Sequence, residues 1–488
     1  MGLRTWAKKQ VRRVQARYEA ARANRLNGDF LRSSTSANAE VSTDLQVLWD
    51  SSRALGRDNP AAVGVKRSQV VNIIGASGIR LVPQVKNLAG TELDGKRNQK
   101  ISDEYKLWST RDNCDVAGRN SLLTFQWHIA AAKVDSGEVF FRIHRGIKFG
   151  TSKVPLALEM IESDQVDYTY NAISDRRDHR WVMGIELNKW NRATRYALLT
   201  SHPGDQGFRN NVPRQRHEFV SAADIIHVYG FEGRVNKLRP EPLLTPVILT
   251  AHNMREYQKS HLVKQRSKAN QMGWIQTPDT LEGKIVDNKR TVDSQAGIYR
   301  RLNPGEIAIP PDFGPEDTSY PSVIEDSLRT MAVGTNSSYN TISGDFSEGS
   351  YATIRINVFE NREGWKMDQI SYADQFCQRV YEEFFYAAVM SGALPSPMFD
   401  DYWFRPERYS TPKWQPRNWP LLDQAKDLQA LKTERELQLV SHGDQISNHS
   451  GDEFVQVMDE IADQNKIKLD KGLLTEIDDP KPKPVSPA

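Results

Sequence analysis

No stretch of this chain limits its fold more than residues 351–389, which read as one long helix. Phe359, Ile370, Ala373, Val380, Phe384 and Ala388 recur near one face at helical spacing. Gly364 interrupts the pattern, at about 1 kcal/mol relative to alanine. The preceding TISGDFSEGS, residues 341–350, is small and polar and reads as a flexible loop. Upstream of it, 320–334 reads as a second helix. Residues 241–271 read as a third, lacking glycine and placing apolar residues at 244, 247/248, 251, 254, 257 and 262. Between those two helices, 273–315 is rich in Gly, Pro and Asp around short runs such as KIVD and GIYRRL. It reads as a compact insertion of loops and strands.

The rest of the chain reads as a mixture. At roughly 150 residues per domain, 488 residues suggest about three domains or one elaborate fold. Residues 27–59 are rich in Ser, Thr and Ala and read as irregular between short helices. Residues 60–75 read as a helix ended by Gly75, GIRLVPQV as a strand, and Asp94-Gly95 as a turn. Residues 98–111 and 119–135 read as helices. From Gly137 to about Val228 come the short runs EVFFRIHR, LALEMIE, WVMGIEL, RYALLTS and IIHVYG, the pattern of a small mostly β or α+β domain. After Gly392 a Pro- and Trp-rich segment reads as a packed extended linker. A helix over 423–441 follows, and Ser450 with Glu453 has the spacing of a capping box opening another. The Pro-rich charged tail from Asp478 is expected to be disordered.

Composition excludes several classes. Two cysteines, Cys114 and Cys377, cannot make a disulfide framework or a Cys-rich zinc module. No run approaches about 18 apolar residues, so no transmembrane helix is expected. There is no GxxxxGK[ST] phosphate loop and no HExxH pair, and GASG at 75–78 has the spacing of neither a nucleophile elbow nor a dinucleotide fingerprint. His442 and His449 lack a third convergent ligand and read as surface histidines. Asp400-Asp401 and Glu382-Glu383 read as solvated faces. Net charge is +3, too small for the whole molecule to be a nucleic-acid binder by bulk electrostatics. Locally the balance differs. Residues 1–25 carry eight basic residues against Glu19 alone, a solvated basic helix or an arm for an anionic partner, and lack the apolar stretch of a secretory signal. The 241–271 helix carries Arg255, Lys259, Lys264, Arg266 and Lys268 against Glu241 and Glu256, which taken alone reads as a solvated face.

The order of these segments resembles the lambda-type portal proteins of tailed bacteriophages. The stretch TISGDFSEGSYATIRINVFENREGWKMDQISYADQFC (341–377) resembles the family's Asp-containing loop, Tyr-Ser-Ser-x-Arg element and long helix carrying a Gln. Here the element is Tyr351-Ala352-Thr353-Ile354-Arg355, with both serines replaced. Residues 414–473 resemble the family's proline-tryptophan segment followed by a Gly-Asp-Glu turn into a helix. RDNPAAVGVKRSQVVNIIGASGIRL (57–81) resembles its Arg-x-Asn segment leading to Asn-x-Val-Gly-x-Gly. Asn113-Cys114-Asp115, Gly137-Glu138, Glu162-x-Asp164, Gly184-Ile185-Glu186 and Ile225-Ile226-His227-Val228 continue the match collinearly. One departure is GRVNKLRPEP (233–242), where the family usually carries an Arg-Pro-Gly-Gln-x-Arg-Gly type segment.

The resemblance implies an α+β portal fold with wing, stem helices, clip, tunnel loop and helical crown, assembling as a ring, usually a dodecamer. On that pattern residues 1–240 are the N-terminal arm and wing, 241–271 the first stem helix, 272–316 the clip and 317–340 the second stem helix. Residues 341–350 are the tunnel loop, 351–420 the long helix and wing, 421–477 the crown helices and 478–488 the tail. It implies a mechanical role without catalysis, cofactor or metal: a DNA channel at one capsid vertex for genome packaging and ejection. The partners implied are double-stranded DNA held without sequence reading, the terminase large subunit, the major capsid protein and head-completion or adaptor proteins, with no membrane. The location implied is the virion, after assembly in the bacterial host cytoplasm. Arg255, Lys259, Lys264 and Arg266 become the candidate channel cations. Gly344, Asp345, Ser347, Glu348, Gly349 and Ser350 become the candidate tunnel-loop tip, with the glycines giving it freedom. Each of these residues reads equally well as an ordinary surface or intersubunit contact. The alternatives are another virion structural protein, such as a capsid or tail component, and a nuclease.

Overall fold

The computed structural model describes residues 35–471, apart from 89, 91, 209–215, 231–232, 271–273, 277–306, 310–317, 346, 348–350, 420–423, 438 and 442–453. The basic arm, most of the expected clip, His442, His449, the Ser450–Glu453 capping box and the tail therefore lie outside the described residues.

The fold begins with helices that the composition disguised. Residues expected to be irregular form α1 (Ala37–Ser42) and the fourteen-residue α2 (Leu45–Asp58). Leu45, Trp49, Ser52 and Leu55 are buried at helical spacing, but small polar neighbours hide the stripe. Ser52 and Trp49 are satisfied by the end of a later helix: the Ser52 hydroxyl donates to the Val134 carbonyl at 2.7 Å and the Trp49 indole to the Ser136 carbonyl at 2.8 Å. α3 (Pro60–Gln69) starts on a capping Asn59, which accepts from the Ala61 and Ala62 amides, and runs through a π-helical turn to Gly75. Asp94 is no turn residue. It caps α4 (Gly95–Trp108), accepting from the Arg97 amide at 3.1 Å. α5 (Leu122–Asp135) completes this layer, and the short β1 (Arg80–Val82) lies ahead of α4 in the chain.

The β region holds two antiparallel sheets. β2 (Glu138–Arg145) lies between β3 (Leu156–Ile161) and β9 (Ile225–Tyr229). The period of two along β2 divides its side chains between two cores. Val139, Phe141 and Ile143 pack among the helices, while Phe140 faces the second sheet. That sheet is a meander of β4 (Ala172–Ile173), β5 (Arg180–Val182), β6 (Ile185–Leu187), β7 (Ala193–Leu199) and β8 (His217–Ser221). WVMGIEL is thus two strands, because Met183 and Gly184 turn the chain at positive φ.

The glycine-free helix, α6 (Ile248–Asn270), starts seven residues later than the pattern suggested. Pro242 and Pro246 cannot sit in a helix interior, and Thr245–Val247 forms a 3-10 turn instead. α7 (Tyr320–Gly334) matches its expected span, and β10 (Trp274–Gln276) pairs with β11 (Ile307–Ile309) between them. α8 is a single short helix, Tyr339–Ser343. The long helix is continuous but changes phase. α9 (Tyr351–Tyr372) passes through a π-helical segment, Ala373–Gln378, into α10 (Arg379–Met390). Val380, Phe384 and Ala388 are buried as expected, but Phe359 and Ile370 are 42% and 70% exposed. The wider turn rotates the buried face, so before it the inward positions are Trp365, Asp368, Gln369 and Tyr372. Asp368 and Gln369 hid that face from an apolar count. Asp368 accepts from buried Lys133 of α5 at 2.7 Å, and Gln369 donates to the carbonyls of Ile73 and Arg417.

The Pro- and Trp-rich segment packs on this helix and adds β12 (Lys413–Gln415) antiparallel to β1. Asp401 and Glu383, expected on solvated faces, are tied down. Asp401 accepts from Tyr409 and Arg408, and Glu383 from Arg145 and Arg379. Two further helices, α11 (Gln424–Glu436) and α12 (Phe454–Asp470), follow.

One fully buried ion pair joins these parts. Arg239 donates to Glu138 of β2 and to the carbonyls of Ser163, Val166 and Met183, and lies between the Trp49 and Phe140 rings. Glu138 also meets His227 of β9 at 2.8 Å, and His227 stacks on Phe140. Removing Arg239 takes the cation away from a buried carboxylate, so Arg239→Ala should cost about 3–5 kcal/mol in denaturant unfolding, and adding Glu138→Gln should recover part of it. Burial pushes the His227 imidazole below its ordinary value despite Glu138. The unfolded chain then binds more protons than the folded one below the ordinary pKa of about 6.5. The unfolding midpoint should fall as pH drops from neutral through that range, and less steeply in His227→Gln.

Candidate nucleic-acid interface

α6 and α7 form an antiparallel pair whose two ends differ. At the inner end Val247, Ala251 and Met254 are buried with Met331 of α7 and with Ala62 and Val65 of α3. Asn59 ties this end to α3 by donating to the Ala251 carbonyl at 3.2 Å. At the outer end the Tyr257 and His261 rings stack on Tyr320, with centroids 5.6 and 3.9 Å away. From Arg255 onward none of the described α6 side chains is buried. At 1.5 Å per residue, about 24 Å of helix leaves the core alongside α7.

The four expected cations do not form one group. At about 100° per residue, Arg255, Lys259 and Arg266 fall within about 40° of one another, on the side away from Tyr257 and His261. Lys264 points roughly 140–180° from them, on the same helix but off the row. Lys259, Lys264 and Arg266 are exposed and Arg255 half-buried. Lys259 is shared with Glu256 at 2.6 Å, and that contact holds the Glu256 carboxyl below its usual range. The row is therefore a modest, one-sided positive strip.

The loop candidates begin in a fixed turn. Residues 341–343, expected in the loop, close α8, which Ser338 caps by accepting from the Thr341 amide. Gly344 ends this helix in the left-handed conformation, φ 71°, so it is a helix stop rather than a hinge. Asp345 accepts from the Ser347 amide at 2.9 Å and hydroxyl at 2.6 Å, which lowers its carboxyl pKa, while its carbonyl accepts from Asn340. The Arg329 guanidinium of α7 lies over the Tyr339 ring at 5.5 Å, joining this turn to the helix pair. Glu348, Gly349 and Ser350 lie outside the described residues.

Among the described residues, one group has the donor set of a metal site. Glu162, Asp164 and His202 converge, with His202 Nε2 3.3 Å from Glu162 and 3.9 Å from Asp164. Arg53 forks onto Asp164 and already meets its charge. The group reads as an ion-pair network.

The family of the chain is shown by its sequence relatives. A family model described as "Phage portal protein, lambda family" matches residues 23–369, which include α6, α7, α8 and most of α9. The chain belongs to the lambda family of phage portal proteins. It is 27% identical over 426 residues to the "Probable portal protein" of Halomonas phage phiHAP-1, covering 85% of this chain and 80% of that relative. It is also similar to a chain in the neck of a native GTA particle computed with C12 symmetry, at 12% identity and TM-score 0.43, covering 81% of this chain and 92% of that one. For an HK97 family phage portal protein from Corynebacterium diphtheriae the values are 11% and 0.35, covering 67% and 93%.

In this portal protein the segment that departs from the family pattern, 233–242, is the one that delivers the chain to α6. Arg234 pairs with Glu40 at 2.7 Å, Lys237 with Glu241, and Asn38 of α1 bonds both Asn236 and Leu238. Arg239 anchors it from within. An arginine in a polar loop carries no sequence signal of burial, and these anchors were not legible. Gly137 completes the junction. Its φ is 84°, and a Cβ there would meet the Glu241 carbonyl oxygen at 2.5 Å. Gly137→Ala should destabilise the portal chain by more than about 1 kcal/mol, read from its unfolding midpoint.

Proposed function

We propose that the portal chain assembles as a ring, a dodecamer on the family pattern, in which the α6–α7 pairs line a channel for double-stranded DNA. The observation that carries this reading is the positive strip of Arg255, Lys259 and Arg266 on a helix that has left its core. DNA that must slide needs weak, repeated, sequence-independent contacts to phosphates, and a few partly neutralised cations per subunit supply them. In this reading α6 and α7 are the stem, 272–316 the clip, 341–350 the tunnel loop and the helices from 421 the crown. The regions before 240 and after 351 form the wing around the Lys133–Asp368 pair. The ring sits at one capsid vertex, assembles in the host cytoplasm, and docks the terminase large subunit and later adaptor proteins. It hydrolyses nothing itself.

Mass photometry of the purified chain should show rings near a dozen subunits without metal-dependent DNA cleavage. In assembled particles, Arg255→Ala/Lys259→Ala/Arg266→Ala should leave ring mass unchanged and reduce packaged DNA, whereas Lys264→Ala should do so less. A stable monomer that cleaves DNA would contradict the proposal, as would particles that package normally without this chain.

A further inference from the structure

The loop end of the five-stranded sheet carries a surface that the channel reading does not use. In this antiparallel meander the β4–β5 loop (174–179) and the β6–β7 loop (188–192) emerge at the same end. They touch there: Arg180 donates to the Asn191 side chain at 2.7 Å. Arg176, Arg177, Arg180, Lys189 and Arg192 are all exposed on this tip, Arg177 at 97%. Trp190 stands 74% exposed among them with the Lys189 ammonium 4.2 Å from its ring. Ile173, on the edge strand beside the first loop, is 95% exposed.

Both loops are held in place from beneath. The Asn188 side chain accepts from the amides of Trp190 and Arg192, at 2.9 and 3.0 Å. Asp178 and Asn191 turn the chain at φ 61° each. Under the loops, buried Glu186 accepts from Arg195 and Thr194 at 2.7 Å and from Ser174, and Arg195 also takes up Asp175. An exposed tryptophan fixed among arginines has the composition of a protein-binding hot spot, where most of the energy comes from a few Trp and Arg side chains.

We propose that this tip is a docking surface for an acidic segment of a partner protein that also carries aliphatic side chains. The cations select the carboxylates, while Trp190 and Ile173 offer apolar area. Nucleic acid fits less well. The charges gather on a tip rather than along a track that could follow a phosphate backbone. The surface stands on its own geometry and does not depend on the DNA channel.

The test uses the full chain and a fluorescein-labelled Glu/Leu-rich peptide, with a Lys/Leu-rich peptide and duplex DNA as comparisons. Fluorescence anisotropy should show binding of the acidic peptide, weakening as salt is raised. Trp190→Ala and Arg177→Glu/Arg192→Glu should each weaken it at least about tenfold. These side chains are exposed, so the unfolding midpoint should be unchanged in both variants. The proposal is overturned if the acidic peptide does not bind, if the variants bind it as the parent does, or if duplex DNA displaces it from the tip.

Discussion

Arg239 is the point through which the parts of this molecule reach one another. Its guanidinium touches β2, the meander sheet and the turn before β4, and its flanking rings come from α2 and β2. A buried arginine is costly unless almost every donor is met, and here the Glu138 carboxylate and three carbonyls from two further segments meet them. The pair therefore acts less as a source of stability than as a lock on geometry. The chain can enter α6 only from where Arg239 is held. A second buried pair, Lys133 with Asp368, does the same for the long helix.

This explains which parts of the fold could be read from residues alone. Where apolar spacing controls the structure, the sequence spoke plainly: α7, β2 and the lower half of the long helix lie where the pattern put them. Where a polar residue sits at a buried position, it misled. Ser52 and Trp49 hide α2 because their partners are carbonyls more than eighty residues away. Asp368 and Gln369 hide the upper inward face, and the π-helical segment moves the lower one relative to it. No local pattern announces a distant acceptor.

The candidate interface shows the same division. The basic character of α6 was legible, and so was its place ahead of an insertion and a second helix. Which way that row faces was not, because that depends on which side of the helix meets α7. Tyr257 and His261 settle it by stacking on Tyr320, so Arg255, Lys259 and Arg266 face away from α7. Gly344 was read as a source of freedom, but a glycine that ends a helix in a left-handed turn fixes direction.

A helix buried only at its inner end is a lever. With Met254 as its last buried residue, a sideways push near Arg266 is magnified where α6 meets α3 and α7. The reaction to that push falls on the bond from Asn59 to Ala251 and, one step further back, on the arginine that holds the chain leading into the helix. Strain at the outer end is thereby handed to the most deeply buried charges in the described structure, where little can yield.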